Sequence, residues 1–231
     1  MKFSRKFLVG SVVAVLLLLF VASIFVLPRE YPTQQSATLS FVIAEDFTKV
    51  RKIMVRTDAA KEIVTMGGGS EFVEQRWRDG SAKPGGKDLG EALLRGVLSS
   101  HPDWQLELHG TLKVRTLDPY INKNSVGQNV VTLQQDVEIV PDYLQSDTKL
   151  IEGSERLLDY AMTTRLEREE DHTRVTLKLT QEIKTDAPWF AHGIADRRVL
   201  ASAKKTLANQ EVAMRKLIEA NRDKNWLFPL H

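Results

Sequence analysis

The sequence predicts an α+β protein in which a curved antiparallel sheet wraps on a long C-terminal helix, preceded by a transmembrane helix. Three observations predict it. Phe7 to Leu27 is an unbroken apolar run, FLVGSVVAVLLLLFVASIFVL, without a single charge. Between Leu106 and Ile183 apolar residues recur with a period of two, as half-buried strands require. From about Gly193 to Asn221 the period becomes helical, with Leu200, Ala203, Leu207, Met214, Leu217 and Ile218 on one stripe.

The run at 7–27 comes first. At about 1.5 Å rise per residue it matches the roughly 30 Å hydrocarbon core of a bilayer. Lys2, Arg5 and Lys6 precede it, while only Arg29 and Glu30 follow closely. The positive-inside bias therefore leaves residues 1–6 in the cytoplasm and places everything after Pro28 across the membrane. The competing reading is a cleaved secretory signal, whose apolar region spans only about 7–15 residues before a small-x-small site. Here Val21-Ala22-Ser23 is still followed by Ile24 to Leu27. The chain has no cysteine, so a lipoprotein signal and disulfides are excluded, and the exported domain must rest on its core alone.

The 231 residues leave one domain's worth of chain beyond the anchor. A linker is expected over 28–36, a globular domain over 37–222 and a C-terminal tail over 223–231. The formal charge of +2 misleads. The first thirty residues hold four of the 32 basic and one of the 30 acidic residues, leaving 28 against 29. That balance offers no electrostatic footprint for nucleic acid.

Thr38 to Ile43 reads as a short strand. Asp46 or Thr48 can cap a helical stretch whose apolar face is Val50, Ile53, Met54, Ile63 and Val64, ended by Gly67 to Gly69. Glu71 to Trp77 reads as a strand, Gly80 to Lys87 as a loop, and Leu89, Leu93 and Val97 as a helix ending before Pro102. Strands follow on Leu106 to Val114, Val131 to Ile139, Tyr160 to Leu166 and Val175 to Ile183. Glu169 to His172 forms the charged tip of the hairpin joining the last two. The final helix spans roughly 40 Å and needs a broad surface to lie on, which the sheet provides.

This order of elements is that of the helix-grip fold, and the chain resembles the START-like (SRPBCC) superfamily, which includes polyketide cyclase-like and birch-pollen-allergen-like proteins. The resemblance is carried by His172-Thr-Arg-Val-Thr-Leu-Lys-Leu179 followed by the helix Arg197 to Glu219. Leu27-Pro28, Tyr31 and the strand Thr38 to Ile43 look like bacterial members with an N-terminal membrane anchor, which implies a bacterial cell membrane. Two departures stand out: Thr65-Met-Gly-Gly-Gly69 replaces a tryptophan-proline-tryptophan-like stretch, and Gly80 to Trp104 is longer than usual. The resemblance implies a space between sheet and helix that often holds a hydrophobic ligand. Members include enzymes, carriers and regulators, so the fold alone does not choose.

Familiar chemistries are missing from the sequence. Gly80 to Lys87 fails as a phosphate loop because Ser81 and Asp88 stand where a glycine and a hydroxyl residue are required. His101, His109, His172, His192 and His231 form no metal-ligand spacing, so neither a metal nor another cofactor is expected. There is no Gly-x-Ser-x-Gly elbow and no thiol nucleophile, and the carboxylates at 167–171 crowd a turn. No residue is expected to be catalytic.

What remains is a polar layer. The inward row of each strand is interrupted midway: Gly110 between Leu108 and Leu112, Gln135 between Leu133 and Val137, Thr164 between Met162 and Leu166, and Gln181 between Leu179 and Ile183. If the connection between the second and third of these strands centres near Lys149, Gln135 and Thr164 are cross-strand neighbours. Buried amides need partners, water or a ligand. Two readings stay open, either a closed network in a filled core or a mostly apolar cavity with a few convergent polar groups.

The sequence therefore points to a membrane-tethered extracytoplasmic domain that binds an apolar or amphipathic small molecule without transforming it. The bilayer is its partner through residues 7–27. Leu108, Leu112, Leu133, Met162, Leu177, Leu179, Leu207 and Met214 are expected to line the cavity. Gln135, Thr164 and Gln181 would orient the ligand, and Gly80 to Trp104 would cover the mouth. The alternatives are a protein-interaction or scaffold domain with a filled core, contacting a partner through that insertion or through Trp226 to Leu230, and an enzyme of the cyclase kind.

Overall fold

The computed structural model of the chain describes residues 27, 29–83, 105–117 and 130–224. The apolar run before Leu27, the helical pattern at Leu89 to Val97 and the tail from 225 lie outside the described residues. Among the described residues, no helix is long and apolar enough to cross a membrane.

Strand β1 (Arg29–Ile43) leads into helices α1 (Phe47–Arg56) and α2 (Ala59–Gly67). Six strands follow, β2 (Ser70–Lys83), β3 (Gln105–Thr116), β4 (Val130–Ile139), β5 (Tyr143–Glu152), β6 (Leu157–Glu169) and β7 (His172–Ala187). A short 3₁₀ turn at Trp189–Ala191 precedes the last helix, α3 (His192–Asn221). The strands form one antiparallel sheet in the order β1-β7-β6-β5-β4-β3-β2, so the first strand is carried round to pair with the last.

Local chemistry explains the element ends. The Asp46 carboxylate accepts from the backbone N–H groups of Thr48 and Lys49 and caps α1. The expected single helical stretch is broken at Thr57, whose backbone is extended and whose hydroxyl donates to the Ile53 carbonyl. Gly68 ends α2 at φ 67°, a left-handed position that suits glycine. At the β6–β7 tip, Glu170 takes a positive φ of 51° and lets the hairpin turn tightly.

Three expectations need correction. Residues 29–36, expected as a linker, are the first half of β1. Their inward side chains are polar, Tyr31 and Thr33, so no apolar alternation announces them. Both hydroxyls donate to Asp196 on α3, Thr33 at 2.5 Å. Pro32 is tolerated because β1 is an edge strand. Residues 80–83, expected as loop, extend β2, while 84–87 lie outside the described residues. The third correction is β5, a whole strand between β4 and β6 that the hydropathy pattern does not reveal.

The core lies on the concave side. Val175, Leu177 and Leu179 of β7 pack with Phe41 and Ile43 of β1, Leu166 of β6, and Ala203, Leu207, Met214 and Leu217 of α3. Phe47, Val50 and Ile53 of α1 close the same cluster from one end.

Candidate functional site

The rest of the concave face is only partly filled, by a second cluster in which Leu157, Ile183 and Val199 pack with Leu112, Val114, Val131 and Leu133. Between α2, α3 and strands β2 to β6 lies a cavity of about 980 Å³, the size of a drug-like or lipid-like ligand site. Leu108, Leu112, Leu133, Val137 and Met162 supply its apolar floor, and Ile63, Val64 and Met214 reach it from the helices.

A polar band crosses this floor. Gln75 of β2 donates from Nε2 to Oε1 of Gln135 at 2.8 Å, and Gln135 donates in turn to the Ser146 hydroxyl of β5 at 3.2 Å. Thr148 and Thr164 face the same space. Because Gln135 and Gln75 are half-buried and line a cavity, their remaining capacity is directed at its contents. Gly110 makes room within the band. Its pairing partners are Gln135 on one side and Trp77 on the other. A Cβ at that position would sit 2.7 Å from Trp77 Cε3 and 2.8 Å from the Arg76 carbonyl oxygen. The glycine thus lets the indole of Trp77 lie across β3 and wall the cavity.

Tyr160 stands at the other side of the cavity, paired with Gln181 across β6 and β7. Its hydroxyl donates to Met162 Sδ at 3.3 Å, a weak acceptor. Desolvation pushes its phenol up to about 12. From α3, Arg198 and Lys205 bring positive charge to the cavity's edge.

Of the eleven residues expected at the site, eight line this cavity: Leu108, Leu112, Leu133, Gln135, Met162, Thr164, Gln181 and Met214. Leu177, Leu179 and Leu207 do not, being fully buried in the packed core. Gln135 and Thr164 are not cross-strand neighbours, since β5 separates them. Gln135 faces Thr148, and Thr164 faces Ser146. Gln181 is mostly committed to structure, because its Nε2 donates to the Val199 carbonyl and ties β7 to α3. Most of the Gly80 to Trp104 segment lies outside the described residues. Sequence reasoning missed Gln75, Trp77, Ser146, Thr148 and Tyr160 as site residues. Tyr160 shares the inward row of Met162 and Thr164, which is the signal that marks it.

Elsewhere, His109 pairs with Asp136 at 2.8 Å on the outward face. Among the described residues no cluster of three or more histidines and carboxylates is placed to hold a metal.

No protein-family profile matches the chain, and neither does any curated protein. Among solved structures the chain is similar to a START superfamily protein from Mycobacterium smegmatis, at 14% identity and a TM-score of 0.44, covering 80% of this chain and 97% of that one. It is similar to the Zhui aromatase/cyclase from Streptomyces sp. R1128 at 12% identity and a TM-score of 0.44, covering 86% and 100%. It is also similar to norcoclaurine synthase from Thalictrum flavum at 12% identity and a TM-score of 0.42, covering 84% and 100%. The activities in those names belong to those proteins, and likenesses this distant carry nothing about chemistry. The helix-grip architecture rests on the chain's own geometry, a seven-stranded antiparallel sheet curved around its C-terminal helix.

Proposed function

We propose that the protein is a single-pass, membrane-tethered domain on the extracytoplasmic side that binds an apolar or amphipathic small molecule and does not transform it. The observation that carries this reading is the 980 Å³ cavity crossed by the Gln75–Gln135–Ser146 band. Its floor is aliphatic, so the body of the ligand is apolar. The band offers neutral amides and hydroxyls, so the group it orients is an uncharged donor or acceptor such as a carbonyl or hydroxyl. The charged groups among the described lining residues, Asp58, Arg198 and Lys205, come from the helical side rather than from the floor beside the band, which supports binding over acid–base catalysis. The tether rests on the apolar run 7–27 and the cations before it.

The test is mass spectrometry of the domain from Pro28 onward, which keeps β1 whole, purified natively and then denatured. A stoichiometric apolar compound is expected. A preparation that carries none, and takes up no fluorescent fatty-acid probe, would point to the scaffold alternative. For the tether, a reporter active only outside the cytoplasm should work when fused after His231. A chain whose N-terminus begins near Ile24 would replace the anchor with a signal.

A further inference from the structure

The two ends of the sheet differ in what they expose. β1 begins at Arg29, which pairs with Ala187 at the end of β7. The apolar run stops at Leu27, so it meets the folded domain beside the turn that follows Ala187. That turn carries Trp189 and Phe190, which are 60% and 58% exposed, with Ile194 on the first turn of α3 at 52%. Leu158 of β6 and Ile151 of β5 are exposed toward the same end. Two ion pairs lie nearby, Arg156 with Asp186 and Lys184 with Glu30. At the opposite end, where β6 turns into β7 and β4 into β5, the exposed groups include Asp46, Asp142, Glu170 and Asp171.

Taken with the tether proposed above, on which it rests, this asymmetry says what covers the apolar end. We infer that Trp189, Phe190 and Ile194 form a membrane-contact surface that seats the domain on the outer face of the bilayer, beside its own anchor. Indole and phenyl groups favour the headgroup boundary. An exposed cluster of large apolar groups in a soluble environment calls for an occupant, and chain geometry brings the bilayer to it. Leu27 is two residues from the strand end that pairs with Ala187, and neighbouring strands lie about 4.8 Å apart. The residues of the patch are uncharged, and Arg197 and Arg198 stand exposed on the next turn of α3, so the contact is apolar with basic groups beside it.

The lack of cysteine makes the test direct. Single nitroxide labels would be placed at Trp189→Cys, Phe190→Cys and Ile194→Cys in the full chain, reconstituted in phosphatidylcholine vesicles. Leu17→Cys within the apolar run and Asp171→Cys at the far tip serve as references. The patch labels should be more accessible to oxygen than to a water-soluble nickel chelate, as at Leu17, with the reverse at Asp171. Patch labels as water-exposed as Asp171, with Leu17 in lipid, would overturn the contact surface and leave the tether standing. A water-exposed Leu17 label would overturn both. Strong spin–spin coupling between patch labels on different molecules would assign the surface to a second copy instead.

Discussion

The concave face has a closed half and an open half, and they are built from different residues. On β1 and β7 the inward row is Phe41, Ile43, Val175, Leu177 and Leu179, pressed against Leu207 and Met214 of α3 with almost no exposure. On β4 and β5 the equivalent positions are Gln135, Ser146 and Thr148, half-buried beside an interior space. The first set excludes water and supplies stability in proportion to apolar area buried. The second leaves apolar area uncovered and offers hydrogen-bonding groups to whatever enters. One sheet therefore divides stability and binding between its two halves, with Gln181 on the boundary, facing the cavity while fixing α3.

Substitutions can break that division or sharpen it. Leu207→Asp should have the largest effect, because it places an unpaired charge in the closed half at a cost of several kcal/mol, comparable with a domain's whole margin. No cooperative melt is expected by circular dichroism. The same charge at Thr148→Asp, on the open half, should cost only about 1 kcal/mol because the cavity can hydrate it. Equal losses at the two sites would erase the distinction.

Gly110→Ala should rank next, at about 1–3 kcal/mol, since the new methyl collides with the Trp77 ring and the Arg76 carbonyl. Adding Trp77→Ala should recover only part of that loss, because the backbone oxygen remains in place. Full recovery in a double-mutant cycle would mean that the strand itself yields.

Gln135→Leu should cost under about 1 kcal/mol, because Gln75 and Ser146 can turn to water or ligand in the open half. It should nonetheless lower the yield of co-purifying compound. A strongly destabilised Gln135→Leu domain, with nothing bound before or after, would mean that the band is structural.

Tyr160→Phe should be nearly silent at neutral pH and visible in alkali. Up to about pH 10 the phenol is neutral in both the folded and unfolded chain. Above that the unfolded chain ionises first, and stability falls until the folded phenol ionises near about 12. The Tyr160→Phe variant should therefore become increasingly more stable than the parent as pH rises through this window. A constant difference would place the hydroxyl in water.

The closed half was the legible half. β7 and α3 declare themselves because burial without polar interruption produces clean periods of two and 3.6, as in Val175, Leu177, Leu179 and in Ala203, Leu207, Met214. β5 stayed hidden because its inward Ser146 and Thr148 face the cavity and alternate with the polar Gln145 and Asp147, leaving no hydropathy contrast. Length could have exposed it. The stretch from Ile139 to Leu157 is too long for a hairpin connection and long enough for a strand with two turns. The start of β1 hid for a related reason, since Thr33 and Tyr31 are satisfied by Asp196, which lies 163 and 165 residues away. The polar positions in the strands were readable one by one. Which of them meet was not, because one unseen strand moved Gln135 from Thr164 to Thr148.

The pairing of β1 with β7 also sets a timetable. Ile43 meets Thr173 and Arg29 meets Ala187, so the first strand made must wait for the last. Closing so long a loop is entropically unfavourable, and such non-local pairing is slow. Throughout that wait, the fifteen residues of β1 present unpaired N–H and C=O groups to any other extended chain. If residues 7–27 anchor the chain as proposed, they hold those groups at a fixed place on the membrane surface while the rest of the chain is still arriving. Under that proposal the vulnerable moment falls during export, and the segment most open to aberrant strand pairing lies beside the bilayer.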